Sequence, residues 1–145
     1  MKLKIEEDEN IQETEIIIRC ATINDKIKRV SDMISTYYIN LLGKKDNENY
    51  VLSLDDIYYF EAVENHVFAY VAKDVYEVGY KLSELVETLE DTSFIQVART
   101  IILNINKIQK VSTLVNGRIM AVLDNHEKMV ITRVYAHHFK RKLKG

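Results

Sequence analysis

The sequence predicts a mainly β chain, α+β overall: an antiparallel β unit with short helices, preceded by a small β-β-α unit. Three observations carry that reading. From Tyr50 to Ile131, short β-branched and aromatic runs alternate with Asp, Asn and Gly pairs suited to hairpin turns. Apolar residues recur at helical spacing in only three places, and the chain has no proline.

Taken in order, Leu3 and Ile5 alternate with Lys4 and Glu6, and Ile16–Cys20 forms a β-branched run, so both read as short strands joined by the Asp8-Glu9-Asn10 loop. From Thr22 the period changes. Ile23, Ile27, Val30, Met33 or Ile34, Tyr37 and Leu41 mark one face of a helix over residues 23–42, with Thr22 and Asp25 as a capping signal and Gly43 as a stop. That face is expected to pack on the two strands or on a second copy of the chain, because so small a unit buries little surface alone. Polar Lys44–Asn49 marks the boundary between a unit over 1–44, with a dimerisation or regulatory role, and one over 45–145.

In the second unit, strands are expected at Tyr50–Leu54, Ile57–Ala62, His66–Val71 and Val75–Tyr80, an antiparallel meander. Leu82, Leu85, Val86 and Leu89 then mark a short helix. After the apolar stretch Phe94–Ile108 come strands at Ile108–Leu114, Ile119–Leu123 and Lys128–Ile131, the first two joined across Asn116-Gly117, a strong hairpin signal. A last helix over Arg133–Leu143 places Tyr135, Phe139 and Leu143 on one side and leaves its basic residues wet.

The 145 residues suit one domain plus a small appendage. The longest apolar runs are a few residues, against roughly 20 for a bilayer span, so no membrane insertion is expected. The acidic start lacks the apolar core of a secretory signal. The single cysteine, Cys20, allows no internal disulfide, is expected to be buried on a strand, and suits a reducing cytoplasm. Net charge is −2, yet residues 91–145 hold 10 Lys+Arg against 3 Asp+Glu while residues 51–90 hold 2 against 9. That polarity offers a phosphate backbone a cationic surface.

Catalysis is not expected. Asp55-Asp56 sits where a turn wants aspartate; His126, His137 and His138 lack metal-ligand spacing; four glycines make no phosphate loop. No cofactor or metal follows. The residue that asks for an explanation is Arg99, inside the apolar stretch. A guanidinium stays charged, so it either points to solvent from a strand face or is held out for a planar acceptor such as a phosphate or a guanine edge.

Ile57-Tyr58-Tyr59-Phe60-Glu61-Ala62, Asn65-His66, the Leu-rich helix, Phe94–Ile108 and Val130-Ile131-Thr132-Arg133-Val134-Tyr135 together resemble the LytTR DNA-binding domain of bacterial transcription regulators over about residues 45 to 145. The resemblance implies an elongated, mostly antiparallel β fold whose loops enter successive major grooves of double-stranded DNA, commonly as two copies on repeated half-sites. It places the reading positions at His66, Arg99 and Arg133, with Asn65, Gln96, Lys140 and Arg141 as further DNA-binding candidates and Lys107, Lys110, Lys128, Lys142 and Lys144 as phosphate candidates. Many members carry Arg-x-His where this chain has Gln96-Val97-Ala98, a departure that bears on sequence preference. Asn104 is expected to cap the following turn. About 45 residues precede the domain, too few for a receiver of ordinary size, so control is expected from abundance, oligomerisation, a ligand or a regulatory partner protein. The alternative function is an interaction module that keeps the fold but binds DNA weakly.

Overall fold

The structure, a computed structural model, describes residues 1–144. Helix α1 spans Asp25–Tyr38. Ten strands follow: β1 Asn40–Lys45, β2 Glu48–Ser53, β3 Tyr59–Val63, β4 His66–Tyr70, β5 Val75–Val78, β6 Phe94–Ala98, β7 Ile101–Asn104, β8 Ile108–Thr113, β9 Ile119–Leu123 and β10 Lys128–Ile131. Helix α2, Leu82–Thr88, lies between β5 and β6, and α3, Arg133–Lys144, closes the chain. β1 to β7 form one antiparallel sheet in the order β2-β1-β5-β4-β3-β7-β6, and β8 to β10 a second, three-stranded one.

The period-2 alternation of strands gives the large sheet two cores. Phe60, Phe94 and Ile102 face one way, joining Leu85 of α2 and Leu89 directly after it. Tyr59, Ile95 and Leu103 face the other, where Ala121, Leu123 and Ile131 of the small sheet and Phe139 of α3 cover them. Asn104 links the layers: fully buried, it accepts from the Asn106 amide (3.0 Å) and donates to the Ile57 carbonyl (2.9 Å), holding the turn into β8 against the start of β3.

The first 24 residues depart from expectation. The strands expected at Leu3–Ile5 and Ile16–Cys20 do not form, and Cys20 is exposed. β-branched runs become strands only against a partner edge, and a lone two-stranded unit is marginal in water. The helix begins later, at Asp25, capped by Asn24, whose side chain accepts from the Ile27 amide (2.9 Å), and ends at Tyr38 rather than at Leu42. Gly43 is instead a mid-strand residue, paired with Tyr50 and Val78; a Cβ there would lie 2.5 Å from Leu52 Cδ1 and 2.8 Å from Tyr76 Cβ. Lys44–Asn49 accordingly holds a tight β1–β2 turn, with Asp46 and Asn47 both at positive φ.

α1 packs with its polar side inward. Thr36 is fully buried, donates to the Asp32 carbonyl (2.7 Å) and accepts from the Ser93 amide (2.7 Å). Arg29 donates to the Leu143 carbonyl of α3 and to Asn106 Oδ1, each at 3.2 Å. Asp32, 2% exposed, meets Lys28 Nζ at 3.2 Å and Lys142 Nζ at 3.8 Å. Burial pushes the Lys142 ammonium below its usual pKa, and Asp32 opposes that shift.

Candidate nucleic-acid interface

Three reverse turns and a helix start meet at one end of the molecule, and backbone bonding explains why. Strand β6 bulges between Gln96 and Ala98, which leaves the Val97 carbonyl free of the β7 ladder. That carbonyl accepts instead from the Thr132 amide (3.0 Å), so the residue before α3 is bound to the neck of the β6–β7 hairpin. On the opposite side, the Thr100 carbonyl at the hairpin tip accepts from the Ala62 amide (2.9 Å), tying the tip to the end of β3 and hence to the β3–β4 turn.

Each connection carries a candidate side chain. Arg99 is exposed at the β6–β7 tip and not on a strand face; Gln96 Nε2 donates to its carbonyl (3.2 Å), so Gln96 braces the turn that presents it. Arg133, exposed, is the first residue of α3, and its Cγ lies 3.1 Å from where a Cβ on Gly117 would be. Gly117 has φ +75, so this turn requires glycine twice over, for backbone and for room. Asn65 has φ 68 in the β3–β4 turn, a conformation asparagine tolerates, and its side chain is exposed. His66 follows, with Nδ1 3.0 Å from Glu77 Oε2. An ionised carboxylate only accepts, so Nδ1 is the donor and the ring is oriented with Nε2 left over.

Lys140 and Arg141 stand farther along α3. At about 100° per residue, Arg133, His137, Lys140, Arg141 and Lys144 fall within an arc of about 100°, all exposed, a cationic stripe along a helix about 18 Å long. One residue of this end escaped sequence reasoning. Arg118, after the Asn116-Gly117 turn, is exposed and donates through Nε to the Val115 carbonyl (3.3 Å). Its place directly after the turn that abuts Arg133 was readable only once the turn was known to abut α3. Among the described residues Arg99, Arg118, Arg133, Lys140 and Arg141 form no salt bridge.

The other phosphate candidates are scattered. Lys107 lies over the Tyr58 ring at 5.1 Å, and Lys128 opens β10, both at the far end of the sheets. That end is polar in another way: Tyr58 donates to Asp124, which pushes the phenol up to about 12, and Tyr59 donates to Glu127 (2.7 Å). Lys142 is turned inward to Asp32 and the Glu90 carbonyl (3.0 Å).

Comparison with known proteins gives the same fold and more. Residues 47–144 match the family model of the LytTr DNA-binding domain. The sensory transduction protein LytT of Enterococcus faecalis is 32% identical over 94 residues, 65% of this chain and 39% of that protein. The transcriptional regulatory protein YpdB of Escherichia coli is 28% identical over 71% of this chain and 42% of its own length. The chain thus spans about two fifths of those relatives. An uncharacterised HTH-type transcriptional regulator of Staphylococcus aureus is 24% identical across 99% of this chain and 98% of its own. A solved LytTr DNA-binding domain from a Bacillus cereus response regulator superposes with TM-score 0.67, covering 73% of this chain and 96% of that one at 24% identity.

Proposed function

From the premise that the chain belongs to the LytTR DNA-binding domain family, we propose that it is a sequence-specific, non-enzymatic transcriptional regulator that binds double-stranded DNA in the cytoplasm as a homodimer. Similarity to regulators named for transcription, one of them matching end to end, supports this reading. The single observation that carries the reading surface is the set of exposed arginines with no carboxylate within ion-pair distance among the described residues, presented on backbone-bonded connections at one end. Arg99 and Arg133 have the planar fork that meets guanine O6 and N7 in the major groove, and His66 and Gln96 offer shorter polar contacts beside them. Asn65 shapes the turn that presents His66. Lys140 and Arg141, on the α3 stripe, face the phosphate backbone. Residues 1–44 are assigned to assembly or to a regulatory partner.

Selection of bound duplexes from a random pool at low salt tests the proposal. Enrichment of a motif, with affinity falling steeply as salt rises, is the expected result. Failure to enrich any sequence would sink it and leave an interaction module on the same fold.

A further inference from the structure

Helix α1 is amphipathic the wrong way round for a lone molecule. Arg29, Asp32 and Thr36, which fall within about 60° of one another on the helix, are the residues that dock it on α3 and on the loop before β6. The opposite arc, about 140° wide, holds Ile27, Val30, Met33, Ile34, Tyr37 and Tyr38, interrupted only by Lys26. It is left open: Met33, Tyr37 and Tyr38 are 46, 66 and 62% exposed. Ile16 lies against the arc and with it lines an open, apolar hollow of about 280 Å³.

We infer that this outward arc of α1 is the seam on which a second copy of the chain docks, helix against helix, to form the homodimer. The inference rests on the reading of the protein as a dimeric regulator, and the measurements below separate the two. Three features select a second copy as occupant. First, Ile27, Val30, Ile34 and Tyr37 recur along α1 at three-, four- and three-residue steps, the spacing with which like helices interlock. Second, the area fits: the exposed residues of the arc, with Ile16, amount to roughly 600 Å², the lower end of what a specific interface takes from each partner. Third, the chain has no charged side chain between Asp32 and Lys44, so the distal half of the seam offers nothing to a charged partner and suits its own apolar surface. α1 also holds the Leu143 carbonyl near the end of α3 remote from Arg133, so docking there leaves the reading turns uncovered.

Sedimentation of the full chain without DNA, at tens of micromolar, is expected to give twice the monomer mass. The double variant Met33→Glu/Tyr37→Glu, at exposed positions that leave the inward polar anchors in place, is expected to sediment as a monomer with unchanged far-UV circular dichroism. Val51→Glu, on exposed edge strand β2 and off the helix, is expected to remain dimeric. On DNA the monomeric variant should keep single half-site affinity within about threefold and lose at least tenfold on paired half-sites. A monomeric wild type would overturn both the seam and the homodimer. A dimer that survives the double variant, or yields to Val51→Glu alone, overturns the seam and leaves the homodimer standing. A dimer that behaves as expected but selects no DNA motif upholds the seam and removes the regulator reading.

Discussion

The two ends of α3 put cations to opposite uses. At its C-terminal end Arg29, Lys28 and Lys142 all have internal partners: Asp32, Asp91, the Leu143 and Glu90 carbonyls and Asn106. At its N-terminal end Arg99, Arg118 and Arg133 stand on turns held by backbone bonds, with no carboxylate within ion-pair distance among the described residues. Residue type is the same; accessible acceptors differ. Cations tied to buried or remote acceptors hold the structure, and exposed cations without an internal carboxylate keep donors free for phosphates and bases.

The contrast can be broken most forcefully at Asp32. Asp32→Ala leaves the Lys142 ammonium buried without its carboxylate and should cost about 3 kcal/mol in urea unfolding. Affinity for a single half-site should change little at temperatures where the variant remains folded. Arg99→Ala and Arg133→Ala reverse the pattern: about 1 to 3 kcal/mol of discrimination between selected and scrambled duplexes lost in a gel shift, with unfolding midpoints shifted by less than about 0.5 kcal/mol. Thr36→Val returns to the docked end, where the buried Ser93 amide loses its acceptor; about 1 to 2 kcal/mol of stability should go. Lys140→Ala and Arg141→Ala should each lower the slope of log affinity against log salt by about 1 while leaving the preferred motif unchanged.

The smallest effect is a pH dependence. Lys28 holds the Asp91 carboxyl below its usual range, so its stabilisation is present above pH 3.8 and is lost as pH falls through the lower folded value. Both groups are largely solvated, so the loss amounts to a few tenths of a kcal/mol. Asp91→Asn should flatten that part of the acid unfolding curve.

Legibility in the sequence followed how local the determining forces are. Ile119–Leu123 and Lys128–Ile131 form as expected because alternation and flanking turn residues suffice. α3 likewise begins at Arg133. Leu3–Ile5 and Ile16–Cys20 carry strand composition but have no edge to pair with. The Arg99-Thr100 turn contains neither Gly, Asn nor Asp; the Ala62 amide bonds its Thr100 carbonyl and the Thr132 amide bonds the Val97 carbonyl at its neck, contacts from distant parts of the chain that no local window reveals. Arg118 was missed for the same reason. The helix over 23–42 shows a different limit. Its apolar face was legible, and packing on the strands or on a second copy both remained open. Without the strands, that face is bare on the outside of the molecule.

The Val97 carbonyl has a consequence for how such a protein diverges. Because Thr132 and Val97 are joined through main-chain atoms, the link between the neck of the β6–β7 hairpin and the start of α3 does not require particular side chains at 98, 99 and 133. Substitutions at 98, 99 and 133 therefore change the side chains offered at this end while leaving that main-chain link in place.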